Sequence, residues 1–326
     1  MAGQVYGTAN LGGNTSLPYL TEWFRTVAQP LMRFRQFCDV KEAIGVRKGN
    51  TFNWDILANI VTGGSTGGLS EGAVIPSDSF TITVGTCVVT EYGNSIPLTR
   101  KLKDMAEYDI KQMVRQTLVN DMAKTIDKAI FDQFGSGLLI AGPSVGTDVA
   151  NIELWSVGTA STAANATAGL TTAHILNLVD TMKERNIPTW DGTSYLCVSH
   201  PSTLKNIRAS MIGYNQYTET GYKNILSGEI GSFGGVRFVE QTNINKVTAT
   251  NPGPGNGWAL FLGGESMIEA VSVPEELIEK EVTDYGRSLG LAWYSVLGYK
   301  QPFALAANQR SIMWWPNNDS PTSLAP

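Results

Sequence analysis

The longest regular pattern of apolar residues lies between Leu102 and Phe134, in a stretch that contains neither Gly nor Pro. Every fourth position is apolar, which favours an α-helix because side chains four apart lie on one face. A strict period of four falls behind the helical turn by about 40° per step, so the stripe winds around the axis. We therefore predict one continuous spine helix over 102–134, about 50 Å long, that packs against different elements along its length. Its predicted core positions are Ile110, Val114, Leu118, Met122, Ile126 and Ile130.

Alternating apolar and polar residues predict strands around a glycine-rich loop. The alternation over 40–46 and 52–56, on both sides of Gly49, predicts a first hairpin. A second alternating run begins at Phe80 and changes phase beside Gly85, which is typical of a β-bulge. Two strand-like arms thus flank a long loop with glycines near its tip. An isolated two-stranded ribbon is marginal in water, so this loop is either disordered or supported by another molecule.

The second half of the chain alternates between helical and strand-like patterns. A helix begins at Thr171 or Thr172 and ends before Pro188, and the strand Tyr195–Val198 follows it. Val236–Glu240 and Trp258–Leu262 are further strands, and the second is so apolar that we expect it at the centre of a sheet. This order predicts an α/β unit over about 171–270, followed by an aromatic, strand-like tail over 290–315.

Composition adds a surface that is unusually poor in charge. The 326 residues are 42% apolar and 16% charged, with a net charge of −5, whereas about 25% of residues are charged in typical soluble domains. Large contacts with partner subunits would hide such a surface, and the acidic balance argues against tight binding of nucleic acid. The start of the chain shows no secretory signal, no run of eighteen apolar residues occurs, and the three Cys are far apart. We therefore expect buried thiols, a reducing compartment and no membrane partner.

The candidate chemistry is weak. His174 and His200 are the only histidines, and no G-x-S-x-G motif accompanies them. Cys197 and His200 have a spacing seen in zinc sites, but an odd separation along a strand places the side chains on opposite faces. His200 precedes Pro201 at a predicted strand-to-helix turn, which favours a structural role. Neither glycine run has the context of a nucleotide site. We predict no catalytic residues, no cofactor and no metal, and hence a structural or binding protein rather than an enzyme.

Short motifs in a fixed order carry a resemblance to a known family. They are Ser70-Glu71-Gly72 with Pro76, Glu91-Tyr92-Gly93, Val198-Ser199-His200-Pro201, Gly228-Glu229-Ile230-Gly231 continuing into Gly235-Val236-Arg237-Phe238-Val239-Glu240, and Gly298-Tyr299-Lys300 with Gln309-Arg310. With the long helix and the glycine-tipped loop, this order resembles the major capsid proteins of tailed bacteriophages, in the short-tailed-phage branch of the capsid-shell fold that encapsulins share. The likeness covers most of residues 40–315.

The resemblance implies an α+β fold with a long spine helix, an extended β-hairpin loop, a peripheral domain and an α/β axial domain. The implied divisions are 1–57 for an N-terminal arm, a short helix and the first hairpin, 58–84 for the extended loop, 85–134 with 271–326 for the peripheral domain, and 135–270 for the axial domain. The extended loop would lie over a neighbouring subunit, with contacts at Gly63, Gly64, Gly67, Gly68 and Glu71.

The implied function is that of a major capsid protein. Its copies would assemble, in the host bacterial cytoplasm, as pentamers and hexamers into an icosahedral shell that encloses double-stranded DNA by loose contact only. The implied partners are further copies, a portal, a decoration protein and a scaffolding protein; a separate scaffold is expected because the chain lacks an acidic helical N-terminal extension. Some members of this fold cross-link subunits through a loop lysine, but residues 57–99 contain no Lys, so we expect no such link.

Two other functions stay open at this point. An encapsulin-like shell that encloses a cargo protein has the same fold, although the N-terminal arm and the insertion at 135–170 favour the viral version. A soluble hydrolase with an unrecognised site is an alternative from a different class. Only a shell protein forms megadalton particles, and the packaged material separates the two kinds of shell.

Overall fold

The computed structural model places two β-sheets, a separate two-stranded ribbon and helices on both faces of the larger sheet. It describes residues 33–43, 49–57, 71–72, 74–75, 79–106, 109–135, 139–144, 151–156, 169–209, 231–243, 258–283, 287–303 and 308–315. The strands are β1 Asp39–Ala43, β2 Thr51–Leu57, β3 Ile82–Val88, β4 Thr90–Thr99, β5 Leu139–Pro143, β6 Ile152–Ser156, β7 Tyr195–Ser199, β8 Ser232–Phe233, β9 Val236–Glu240, β10 Ala259–Leu262, β11 Ile268–Thr283, β12 Ser288–Lys300 and β13 Ser311–Trp314. The α-helices with both ends described are α1 Arg100–Met105, α2 Ile110–Gly135 and α3 Thr172–Glu184; residues 205–209 are also helical, and Phe34–Phe37 forms a 3-10 turn.

The larger sheet has seven strands in the order β6-β5-β13-β10-β7-β9-β8, so β10 is central, as its apolar sequence predicts. Successive residues of each strand face opposite sides. Tyr195 and Cys197 pack beneath α3, whereas Leu196 and Val198 pack against α2. Helices therefore cover both faces, which explains why β7 and β10 are buried throughout.

The smaller sheet has four strands in the order β1-β11-β12-β4, and β4 pairs with β12 along its whole length. Strands β2 and β3 pair in antiparallel register from Thr51↔Val88 to Leu57↔Ile82, which forms the base of the predicted extended β-hairpin. The mixed helix-and-strand fold, with its spine helix and extended hairpin, is the predicted class.

The predicted continuous helix over 102–134 is wrong at its start. Helix α1 ends at Met105, Ala106 is extended with ψ of 140°, and α2 begins at Ile110. The Asp109 carboxylate accepts hydrogen bonds from Lys111 N at 3.0 Å and Gln112 N at 3.2 Å, so it caps α2. Because the Asp109 carboxylate satisfies backbone N–H groups at the helix start, a new helix begins here, although the apolar period of the sequence continues through the break.

The two halves of α2 contact different layers. The core positions in its first half, Ile110, Val114, and Leu118, pack with Leu98, Leu291 and Trp293 of the smaller sheet. Met122 contacts both clusters, and Ile126 and Ile130 are buried between the larger sheet and the 3-10 turn. Leu118, Ile126 and Ile130 are fully buried, whereas Ile110, Val114 and Met122 are partly buried. The apolar stripe thus winds around α2 because the helix packs on the smaller sheet in its first half and on the larger sheet in its second half.

Three further expectations differ from the structure. The described strands on either side of Gly49 do not form the first hairpin, because β1 pairs in parallel with β11 and β2 pairs with β3. Strand β13 lies between β10 and β5 in the larger sheet, whereas the division at residue 271 assigns it to the peripheral domain. The β2–β3 register is continuous, so the phase change beside Gly85 is not a bulge.

Candidate functional site

The ribbon formed by β2 and β3 exposes an apolar face. Directly opposed residues share a face in an antiparallel pair, so the pairs Thr51↔Val88, Asn53↔Thr86, Asp55↔Val84 and Leu57↔Ile82 define one side, here called the ribbon's outer face. Its large apolar side chains are 54–67% exposed: Leu57, Ile82, Val84 and Val88. The neighbouring Phe80, Val74 and Ile75 are also exposed, at 65%, 91% and 72%. An apolar surface of this kind marks a contact with another molecule.

The opposite face of the ribbon is fixed to the body at its base. Trp54 Nε1 donates a hydrogen bond to the carbonyl oxygen of Pro302 at 3.0 Å. Gly85 lies directly across from Trp54, and a Cβ there would be 2.3 Å from the indole ring. Cys87 is buried on Gly298, where a Cβ would be 2.9 Å from the Cys87 sulfur. Glycine is therefore required at 85 and 298 because the ribbon crosses closely packed neighbours.

The 3-10 turn enters the body beside a buried carboxylate that sequence reasoning missed. Asp127 on α2 is 3% exposed and accepts hydrogen bonds from Phe34 N at 2.8 Å, Gln241 Nε2 at 2.6 Å and Asn243 Nδ2 at 3.1 Å. Burial raises the pKa of Asp127, and the bonds from Asn243, Phe34 and Gln241 oppose that rise. Asp127 therefore joins three segments that are far apart in the sequence.

The same turn is held on its other side by ion pairs. Arg35 contacts Glu269 at 2.9 Å and Glu275 at 2.5 Å, both on β11. Glu269 is 1% exposed and also accepts a hydrogen bond from the Tyr299 hydroxyl at 3.3 Å. Burial and the Glu269 charge both raise the pKa of Tyr299. A buried carboxylate needs such partners, so the turn has one defined position on the sheet.

Ion pairs also join α2 to the smaller sheet. Glu279 of β11 contacts Lys111 at 2.5 Å and Arg115 at 3.2 Å. The hydrogen bond from Lys111 lowers the pKa of Glu279. Two acidic side chains of the same long strand thus contact the turn and one contacts the helix, which fixes β11 between them.

The predicted loop contacts are only partly within the described residues. Glu71 is exposed, and Gly63, Gly64, Gly67 and Gly68 lie outside the described residues. Sequence reasoning selected the loop tip for its glycines and missed the apolar outer face at the ribbon base. The missed signal was the run of large apolar residues on one side of β3.

The two histidines have local structural roles. His174 Nδ1 accepts a hydrogen bond from Thr171 N at 3.2 Å, and Thr171 caps α3. His200 Nδ1 accepts one from Ser202 N at 3.1 Å, which agrees with the predicted role at the strand-to-helix turn. Cys197 is fully buried, and burial raises the pKa of its thiol. Within the described part of the chain, no group of three or more His, Cys, Asp or Glu could hold a metal ion. None of the helices described there is long and apolar enough to cross a membrane.

The fold is similar to that of several solved phage capsid structures. The chain superposes on the cyanophage Pam1 capsid with a TM-score of 0.67 at 13% identity, covering 98% of this chain and 100% of that chain. The capsid of cyanophage P-SCSP1u gives 0.66 at 12% identity with 94% and 96% coverage. The capsid of Ralstonia phage GP4 gives 0.59 at 15% identity with 97% and 99% coverage. These likenesses establish the capsid-shell fold.

The sequence establishes the family. The phage capsid protein family matches residues 82–307, which is more than half of the chain, so the chain belongs to that family. No curated protein matches the sequence. The protein is therefore a bacteriophage major capsid protein, a structural component of the virion, as the resemblance implied.

Proposed function

We propose that copies of this chain assemble as pentamers and hexamers into an icosahedral shell that encloses double-stranded DNA. The ribbon's outer face carries the proposal, because its large apolar side chains are more than half exposed while the base of the ribbon is fixed to the body. A second copy of the chain covers this face in the shell. The extended loop, including Gly63, Gly64, Gly67, Gly68 and Glu71, lies over that neighbour, and the axial domain meets its copies at the capsomer centre.

The proposed partners follow from the same role. A scaffolding protein, a portal and a decoration protein act with the shell, and assembly takes place in the host bacterial cytoplasm. The net charge of −5 supports loose rather than tight contact with the packaged DNA. We propose no enzymatic activity, no cofactor and no membrane contact for this chain.

Electron microscopy of particles from infected cells tests the proposal. We expect closed icosahedral particles in which this chain is the main protein, with nuclease-protected double-stranded DNA inside. Negative stain of the purified protein, with and without scaffolding protein, identifies pentameric and hexameric rings. Particles filled with a cargo protein would establish the encapsulin-like function instead, and a protein that stays a monomer at all concentrations would refute a shell function.

A further inference from the structure

The charges of this chain are separated along the sequence between the ribbon and the helix that follows β4. Residues 51–99 contain four acidic residues and no Lys or Arg: Asp55, Glu71, Asp78 and Glu91. The next five residues, 100–104, contain three cations and one acid. The change from acidic to basic coincides with the end of β4 and the start of α1. Two surfaces of opposite charge therefore lie on one subunit.

Helix α1 is a basic helix whose apolar side chains stay exposed among the described residues. None of its residues is buried, and Leu102 and Met105 are 47% and 75% exposed. These two side chains are three positions apart, so they lie on one face of the helix. Arg100 N donates a hydrogen bond to the backbone oxygen of Arg287 at 2.8 Å, which places exposed Arg287 beside the helix. We call α1 with Arg287 the basic corner.

A six-residue helix without a packed face has little stability of its own. The basic corner combines two apolar side chains with the cations Arg100, Lys101, Lys103 and Arg287. Asp104, the single acid of the helix, pairs with Arg100 at 3.7 Å, so Lys101 and Lys103 supply the net positive charge of the helix. A partner that fits this surface is apolar and acidic. The ribbon's outer face has both properties, because Asp55 lies on it opposite Val84, among exposed aliphatic side chains, and no cation lies anywhere on the ribbon.

The two surfaces lie at opposite ends of one strand. β4 begins at Thr90, next to the ribbon base, and ends at Thr99, whose hydroxyl caps α1 by accepting a hydrogen bond from Leu102 N. Ten extended residues span about 30 Å, and the ribbon base is fixed by Trp54 and Cys87. Complementary surfaces at different places on one subunit make head-to-tail contacts, which close into rings when the rotation allows.

We propose that the basic corner of one subunit is the receptor for the ribbon's outer face of the adjacent copy in the same ring. The contact pairs aliphatic side chains with Leu102 and Met105, and it pairs Asp55 with the cations around them. This inference rests on the proposed shell function, and it adds the surface on which the ribbon docks. Charge complementarity of this kind mainly sets which partner surface is chosen and in what register.

Charge reversal on each side tests the contact. The corner variant Lys101→Glu/Lys103→Glu and the ribbon variant Asp55→Lys should each lower the yield of closed shells by about tenfold or more, because like charges then face each other across the contact. Combining the corner and ribbon changes should restore a large part of the yield. Lys124→Glu, which reverses one charge at an exposed position on α2, should leave the yield unchanged.

Circular dichroism of the unassembled subunits identifies variants that fail to fold, and recovery in the combined variant shows that folding was intact. Shells formed at the wild-type yield by the corner variant would overturn the proposal. The same holds if the corner variant forms normal empty shells and loses only packaged DNA, because the corner would then contact nucleic acid.

Photo-crosslinking locates the receptor directly. A benzoylphenylalanine introduced at Val84 should link to residues 100–106 or Arg287 of another copy in wild-type-like particles, and the peptides are identified by mass spectrometry. The same group at Leu176, which is exposed on α3, should not reach that peptide. Links from Val84 to any other surface would overturn the receptor assignment while the shell function stands. Absence of any particles from the unmodified protein would instead refute the shell function.

Discussion

The burial of α2 gives a graded prediction for two positions that the sequence pattern treats as equal. Ile126 is 4% exposed, in a cluster with Phe34, Phe131 and Leu260, whereas Ile110 is only partly buried against the smaller sheet. Replacing each by Ala removes the same three carbon atoms. At a fully buried site this change costs about 2–5 kcal/mol, because a cavity is left in addition to the lost apolar transfer. At Ile110, water and neighbouring side chains can fill the space, so we expect about half that cost or less.

Urea unfolding of the unassembled subunits, followed by circular dichroism, measures the difference. With a denaturant slope of about 3 kcal/mol per molar, a loss of about 3 kcal/mol lowers the midpoint by about 1 M. We expect this shift for Ile126→Ala and a clearly smaller one for Ile110→Ala, with the same slope in both variants. Ile110→Asp and Ile126→Asp extend the series: a buried, unpaired charge costs several kcal/mol, so Ile126→Asp should abolish assembly-competent subunits.

The packing argument is refuted if Ile110→Ala lowers the urea midpoint as much as Ile126→Ala does, or more. In that case the two halves of α2 are equally buried, and the partial burial of Ile110 is wrong. Wild-type-like shells from Ile126→Asp would show that the helix does not occupy the core between the larger sheet and the 3-10 turn.

Three further predictions concern the ribbon and the N-terminal turn. Gly85→Val should displace the Trp54 indole and speed amide hydrogen exchange across the ribbon base, whereas Thr86→Ser on the outer face should not; equal exchange in both would contradict the close approach. Because burial raises the pKa of Asp127 above its unfolded value, its contribution favours folding most below about pH 4 and is lost as pH rises through the folded pKa. The unfolding free energy of the wild type minus that of Asp127→Asn should therefore increase from pH 7 to pH 4. A constant or decreasing difference would contradict a raised pKa for Asp127. Since residues 57–99 contain no Lys, mature particles should give a single 35.2 kDa band on a denaturing gel; an isopeptide-linked ladder would disprove this.

Local signals in the sequence predicted local structure well. The cap at Thr171 and the apolar face of α3 placed that helix correctly, and the strand Val236–Glu240 has the predicted bounds. The continuous apolar run at Trp258–Leu262 predicted a central strand, and the observed strand Ala259–Leu262 pairs with β13 and β7. These features depend on residues within a few positions of each other, so a single sequence carries them.

Pairing between distant segments was not predictable in the same way. The alternating pattern of β1 correctly indicates a strand, but this strand pairs with β11, more than two hundred residues away, and not with its neighbour β2. Strand β11 itself was missed, because four glutamates between 275 and 281 conceal its extended pattern. The structure gives partners to two of these four charges: Glu275 contacts Arg35 and Glu279 contacts Lys111, while Glu269, earlier on the strand, also contacts Arg35. A charged strand can be central when distant cations neutralise it.

The candidate site shows the same limit in a different form. The glycines at the loop tip were visible in the sequence, whereas the reason for Gly85 was not, because the phase change beside it has two possible causes. A bulge and a cross-strand contact both favour glycine. Only the register Trp54↔Gly85 decides between these two causes, because it places the Trp54 indole where a side chain at position 85 would lie.

The proposed ring contact assigns different mechanical roles to two adjoining elements. Strand β4 pairs with β12 from Thr90 to Thr99, and its inner face packs with α2 through Leu98. A strand held in this way cannot change length, so it fixes the distance between the ribbon base and the basic corner. The proposed pentamers and hexamers nevertheless require different angles between neighbours. That difference has to be absorbed by the ribbon, which is attached at Trp54 and Cys87 and exposes its outer face beyond them. Five-fold and six-fold subunits should thus superpose closely over β4, β12 and α2 and differ in the direction of the ribbon; a bend within β4 between the two would contradict this division.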